Sequence, residues 1–324
     1  MTPCGVLNLD KPAGITSRQA VDLVKRLVRP AKTGHAGTLD PLATGVLIVC
    51  IGSATRLIEY VQRMPKSYRA TFWLGRTSPT EDTEGEVAEL PDPPRPTFEE
   101  IAMAAGRFVG RIQQRPPAFS ALRLAGRRAY DMARRGDTVA LEARPVEVYR
   151  IAVVTYQYPE LVLDVQCGSG TYIRSLGRDL AESLGTGAVM SALRRTAIGK
   201  FQVADAVDPK QLTAENWSTF LQPALRAVEF LPRVTLSAAE VVRVRNGLAI
   251  DKAESGEPKA EAVGWVDGHQ RDALVGEPHH QAAASCAAES GRREQQFAAV
   301  DQAGRLVAIL LPHGPNQLRP SRNL

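Results

Sequence analysis

One carboxylate, Asp40, sits in a stretch whose composition suits a catalytic loop: residues 34–47, GHAGTLDPLATGVL. The glycines permit a tight backbone path and close approach of a ligand. Pro41 stiffens the chain directly after the carboxylate, and Leu39, Leu42, Val46 and Leu47 are apolar anchors on either side. A carboxylate held between such anchors can be a nucleophile or a base. It can equally close a turn, the ordinary role of an Asp before Pro. The second feature is basic. Residues 107–150 contain ten Arg against four acids, Asp131, Asp137, Glu142 and Glu147, whereas residues 251–300 carry nine acids against five Lys or Arg. An Arg-dense middle segment suits phosphate contacts, and it also suits a solvated helix face.

Other chemistries have little support. There is no GxGxxG, no Walker A, no HExxH and no CxxC. Gly168-Ser169-Gly170 is too short for a dinucleotide fingerprint, and His279-His280 lies in a stretch rich in Ala, Glu, Gly and Gln. The four Cys, at 4, 50, 167 and 286, make no zinc ligand set, and Cys50 and Cys167 fall in apolar runs and read as core thiols. Neither metal nor cofactor is therefore expected. The N-terminus lacks a charged segment followed by an apolar one, and the longest strongly apolar run, VLIVCI at 46–51, is far too short to span a bilayer. These features suit a reducing cytoplasm. A net charge of +5 with a pI of about 9.1 is compatible with an anionic partner.

The elements that must position Asp40 follow from periodicity. Residues 5–9 (GVLNL) read as a strand, followed by a KPAG turn and a helix capped by Ser17, with Ala20, Val21, Val24, Leu27 and Val28 on one face. Pro30 stops it. The Gly-rich loop 34–45 leads into a buried strand at 46–51, and 53–63 suits a short helix. Residues 66–76 alternate, with Tyr68, Ala70, Phe72 and Leu74 on one face. A helix fits 97–109, with Phe98, Ile101, Ala105 and Phe108 on its stripe. Residues 145–158 and 160–167 read as two strands joined at Pro159-Glu160, and a helix runs from near Thr171 to about Ser183. With no βαβ alternation, the expected class is α+β with a mixed, largely antiparallel sheet flanked by helices.

Composition shifts after residue 230, so two domains are expected, 1–230 and 231–324. In the second, strands at 297–300 and 306–311 flank a turn, and the polar stretch 251–296 reads as a disordered insertion.

The 34–47 stretch is similar to the signature of the TruB pseudouridine synthases, in which the Asp of GTLDP is catalytic. NLDKPAGITS (8–17), KSYRA (66–70), RPPAFSALRLAGRRAYDMARRG (115–136), GTYIRSL (170–176) and ALRR (192–195) resemble further motifs of that family, in the same order. The resemblance spans nearly all of residues 5–250. It implies the pseudouridine synthase fold and a small C-terminal PUA-like β domain. The implied activity is isomerisation of uridine 55 in the T arm of tRNA, without cofactor or metal. The implied partner is the T-arm stem-loop, met by a monomer with no obligate protein partner.

By position, Asp40 aligns with the nucleophile, Tyr68 with the Tyr that stacks on the target uracil, and Arg174 with the Arg paired to the catalytic Asp. His35 aligns with a residue that helps extract the base, and Lys11, Tyr172 and Leu193 with residues lining or supporting the pocket. Read from the pattern alone, Tyr68 is also a strand-face core aromatic, Arg174 a helix-surface Arg, and Lys11 a turn lysine.

Two features depart from the family pattern. Residues 77–80 read TSPT, placing Pro79 where an acid is usual, while Asp82 and Gly85 keep their places. The 251–296 stretch has no counterpart. An RNA-binding or tRNA-folding protein without turnover would be preferred if Asp40, Tyr68 or Arg174 were missing. A hydrolase or phosphotransferase would call for a metal-binding acid cluster or a phosphate loop.

Overall fold

The computed structural model describes residues 2–119, the backbone of 123–124 and 127–128, and residues 141–251 and 295–324. Most of the 251–296 insertion and the centre of the Arg-rich segment lie outside the described residues. The chain divides into two units, Met1–Leu221 and Gln222–Leu324; the composition shift marked 230/231.

The first unit opens with β1 (Gly5–Lys11) and α1 (Ser17–Leu27). The strand runs two residues past the apolar stretch because Asp10 and Lys11 still pair with Val46 and Gly45. The cap of α1 is Thr16, not Ser17. Thr16 and Gln19 form a reciprocal capping box, an arrangement worth about 1 kcal/mol. Ser17 instead sends its hydroxyl into the core, donating to the Leu39 carbonyl at 3.0 Å and accepting from the Leu39 amide at 2.8 Å. Next come β2 (Thr33–His35), β3 (Thr44–Ile51), α2 (Ile58–Arg63), preceded by a 3-10 turn, and β4 (Lys66–Leu74). The alternation in β4 buries Lys66, Tyr68, Ala70, Phe72 and Leu74 on one side.

A small hairpin, β5 (Arg76–Thr77) with β6 (Ala88–Glu89), leads to α3 (Phe98–Gly106). Here the expected stripe changes. Phe98 is at the first helical turn and 45% exposed, and Ile101, Ala104 and Ala105 form the buried face. After β7 (Gly110–Gln114) come the short pair β8 (Arg123–Leu124) and β9 (Arg127–Arg128), then β10 (Arg144–Gln157) and β11 (Glu160–Cys167). Helix α4 (Ile173–Ser183) begins after Tyr172, two residues later than the sequence placed it, and β12 (Ala188–Ile198) and β13 (Phe201–Gln202) follow.

These strands make a nine-stranded sheet whose main path is β1-β3-β12-β4-β11-β10-β7. Its described pairings are antiparallel except for β12 with β3, which are parallel at Arg194 and Arg195. One core cluster packs β4, β11 and β12 against α3 and α4; a second packs β1 and β3 against α1. Two glycines set close approaches. A Cβ on Gly45, at φ +99°, would lie 2.1 Å from the Arg195 carbonyl oxygen. One on Gly177 would lie 2.0 Å from the Phe72 ring, so α4 can sit on β4 only with glycine there. Cys50 and Cys167 are buried, as read, and burial raises the Cys50 thiol to about 12.

The second unit carries β14 (Arg233–Thr235), α5 (Ala238–Arg245), β15 (Ile250–Asp251), β16 (Phe297–Val300), β17 (Leu306–Pro312) and β18 (Gln317–Asn323). The five strands form one sheet in the order β14-β16-β17-β18-β15. Strand β18 escaped the sequence reading because QLRPSRN does not alternate; of its side chains only Leu318 is buried. Among the described residues no helix is long and apolar enough to cross a membrane.

Candidate active site

A cleft of about 310 Å³ opens in the first unit, lined among others by Asp40, Tyr68, Tyr172, Arg174, Leu193 and Arg195. Four elements meet there. The loop between β2 and β3 brings Asp40. Strand β4 brings Tyr68, the strand beside it, β12, brings Leu193 and Arg195, and the N-terminal end of α4 brings Tyr172 and Arg174.

Arg174 is the hub. Its guanidinium meets Asp40 Oδ2 at 3.1 Å and Asp82 Oδ2 at 3.2 Å. It also donates to the carbonyls of Thr80, at 2.7 Å, and Phe119, at 3.0 Å. The Arg174 side chain is 6% exposed and that of Asp82 2%, whereas that of Asp40 is 37% exposed. The guanidinium is therefore held from behind by a buried acid and offers its front to the carboxylate that faces the cleft. Asp82 is satisfied further by the Thr80 hydroxyl at 2.6 Å and the Glu84 amide at 3.0 Å. Burial and the nearby charges of Asp82 and Asp40 push the Glu84 carboxyl above its ordinary value, so three acids, Asp40, Asp82 and Glu84, lie near Arg174.

The Asp40 loop is pinned from three directions: by Ser17 at Leu39, by Lys11 and by Arg195. Arg195 is 2% exposed and donates to the carbonyls of Val46 at 2.7 Å, Thr38 at 3.3 Å and Gly37 at 3.2 Å. Tyr68 lies directly across the β4–β12 ladder from Arg195, and burial raises its pKa. One guanidinium thus fixes the loop on the side of β12.

Lys11 is wholly buried and donates to the carbonyls of Ile15 at 2.6 Å, Pro12 at 2.9 Å and Pro41 at 3.3 Å. Burial lowers its pKa to about 8 from an ordinary 10.5, against the attraction of Asp40. Between those values the unfolded chain binds more protons at this residue than the folded one. The Lys11 contribution therefore makes stability rise with pH from about 8 to about 10.5. In Lys11→Met that contribution is expected to vanish, so the urea stability of the variant climbs less, or falls more, over this interval than that of the parent. Parallel slopes would contradict the assignment. The variant is also expected to be less stable at pH 7, because three carbonyls lose a donor.

Of the residues singled out in the sequence, Asp40, Tyr68, Tyr172, Arg174 and Leu193 line one cleft. Lys11 supports its floor, touching the carbonyl that follows Asp40. His35 sits on β2 opposite Val49; it is not itself among the lining residues but interacts with two that are, the Gly37 backbone and Arg195, and burial lowers its pKa. Tyr172 is placed by its backbone: the Gln114 amide accepts from its N–H at 2.8 Å and donates to its carbonyl at 3.0 Å. Sequence reasoning did not assign Arg195, the role of Asp82, or Lys66, a buried lysine of β4 that also lines the cleft. A basic residue at the buried parity of a strand, as in Leu193-x-Arg195-x-Ala197, was the available signal for Arg195. Pro79 does not enter the arginine network, and Asp82 supplies its buried acid.

Residues 25–173 match the family described as TruB family pseudouridylate synthase (N terminal domain), and residues 174–231 match tRNA pseudouridylate synthase B C-terminal domain. The chain is 36% identical over 273 residues to the tRNA pseudouridine synthase B of Clostridium tetani, covering 84% of this chain and 94% of that one. It is 42% identical over 250 residues to the protein of the same name from Xanthomonas campestris pv. campestris, covering 75% and 80%. Among solved structures it resembles an H/ACA ribonucleoprotein bound to a substrate RNA containing 2'-deoxyuridine. There the TM-score is 0.67 at 23% identity, over 98% of this chain and 84% of that one, a likeness of fold alone.

Proposed function

The chain belongs to the TruB family of pseudouridylate synthases, and from that premise we propose that it isomerises uridine 55 in the T arm of tRNA, in the cytoplasm, with Asp40 as the catalytic carboxylate. The observation that carries the reading is the pairing of a cleft-facing carboxylate, Asp40, with a buried arginine, Arg174, that is itself held by Asp82. A negative oxygen so fixed is what the reaction needs.

The target uridine must leave its stack before any group reaches it. Extrusion costs a few kcal/mol, offset by contacts to the flipped base and the RNA backbone. The Tyr68 ring is the stacking surface, with Leu193 beside it in the cleft wall. Uracil is then detached from C1′, turned, and rejoined through C5. Attack at C1′, addition at C6 and abstraction of a ribose proton all use the same Asp40 oxygen, and in each the Arg174 guanidinium, 3.1 Å away, holds that carboxylate in place. The relatives named above are tRNA enzymes by name, which supports tRNA as the substrate.

The test is to incubate the purified protein with a synthetic T-arm stem-loop and locate the product by base. Pseudouridine at the T-loop uridine alone is expected; conversion elsewhere, or none, would overturn the proposal. The Arg-rich segment gives a second check. If Arg127 and Arg128 contact phosphates, replacing both with Gln weakens binding and flattens the log–log salt dependence by about one unit per lost contact. An unchanged slope would place the RNA elsewhere.

A further inference from the structure

Two arginines one turn apart on α4 fasten the same two loops. Arg174 holds the carbonyls of Thr80 and Phe119. Arg178 pairs with the Glu81 carboxylate and donates to the Arg115 carbonyl at 2.9 Å, with Asp179 as a further partner at 2.7 Å. Glu81 also accepts from the Ser175 hydroxyl at 2.8 Å, and its carbonyl accepts from the Met190 amide at 3.0 Å. Three successive residues are thus tied to one helix: Thr80 and Asp82 through Arg174, and Glu81 through Ser175 and Arg178. Glu81 has φ +62°, a left-handed conformation that residues other than Gly, Asn, Asp and His seldom take. Its ion pair is nearly sealed, at 12% and 14% side-chain exposure, and neither partner is among the residues lining the cleft. A buried ion pair is a weak source of stability compared with apolar packing, but it fixes geometry. Here the geometry it fixes is the turn that presents the Thr80 carbonyl and the Asp82 carboxylate to Arg174.

We propose that Glu81 and Arg178 are a positioning pair for the isomerisation: they lock the left-handed turn at 80–82 and so aim the guanidinium that faces Asp40. The inference rests on the reading of Asp40 and Arg174 given above. Its test is single-turnover conversion of a T-arm stem-loop at saturating enzyme, where the rate constant does not depend on the folded fraction, with circular dichroism confirming the fold. Glu81→Asn keeps a residue tolerant of the left-handed turn but removes the pair; Arg178→Met removes the other partner; Arg178→Lys keeps the charge. Glu81→Asn and Arg178→Met are expected to slow the rate constant by roughly 10–100-fold, with the half-saturating enzyme concentration within about twofold of the parent. Arg178→Lys should recover to within about threefold, and the double variant should be no slower than the slower single one. If Arg178→Met does not fold, Glu81→Asn decides. Rate constants within about twofold of the parent, or a loss confined to the half-saturating concentration, would overturn the proposal. Asp40→Asn in the same assay separates the two readings: an active Asp40→Asn defeats the catalytic assignment, whereas an inactive one beside an unaffected Glu81→Asn defeats only the positioning pair.

Discussion

Asp40→Asn is expected to lower pseudouridine formation by a factor on the order of 10⁴ or more while the protein folds and binds RNA as before. The amide has nearly the shape of the carboxylate but no negative oxygen to attack, add or take a proton. The fold does not depend on that charge. The Asp40 side chain is 37% exposed, and its loop is held by Ser17, Lys11 and Arg195 through backbone atoms rather than through the carboxylate. Arg174 keeps three partners, Asp82, Thr80 and Phe119, so no buried cation is stranded. Steady-state conversion of a T-arm stem-loop, beside filter binding of the same RNA, reads both halves. Joint loss of binding and folding would make the loop a structural element and Asp40 an ordinary turn residue.

Arg174→Ala is the second large effect, and it differs in kind because it strikes both chemistry and stability. Removing the guanidinium takes the ion-pair partner from Asp82, 2% exposed, which keeps the Thr80 hydroxyl and the Glu84 amide, and takes a charged donor from the carbonyls of Thr80 and Phe119. Breaking a buried pair from one side costs about 3–5 kcal/mol, which in a unit of this size lowers the melting temperature by roughly 10 °C. Turnover is expected to fall on the order of 10³-fold, since Asp40 loses its partner. Arg174→Lys should restore only part of the activity, because an ammonium cannot span two carboxylates and two carbonyls as a planar guanidinium does. Thermal melting and single-turnover rates on the two variants check this. A folded Arg174→Ala with full activity would remove Arg174 from the site.

What was legible in the chain divides by range. The Asp40 loop could be read because its glycines, proline and apolar anchors are consecutive, and the strands and helices around it because burial imposes periods of two and 3.6. The partners that complete the site were harder. Arg195 holds a carbonyl 157 residues away and Arg174 one 94 residues away, and no local pattern encodes such contacts. Caps misled by one position, since Thr16 and Ser17 are both suitable and only the reach of the Ser17 hydroxyl to Leu39 separates them. Phe98 was assigned to the core because hydrophobicity was read without its place at the helix start. Glu81 gave no signal at all: a left-handed glutamate is stabilised by its surroundings, by Arg178, Ser175 and Met190, rather than by its own propensity.

The central claim is that this chain converts a T-arm uridine through Asp40. Its most direct test is to map pseudouridine, base by base, in tRNA from cells whose only copy of the protein carries Asp40→Asn, beside cells with the parent sequence. The account predicts that pseudouridine disappears from position 55 while pseudouridines elsewhere in the same tRNAs stay at the parent level. Full modification at position 55 in the Asp40→Asn cells would contradict it.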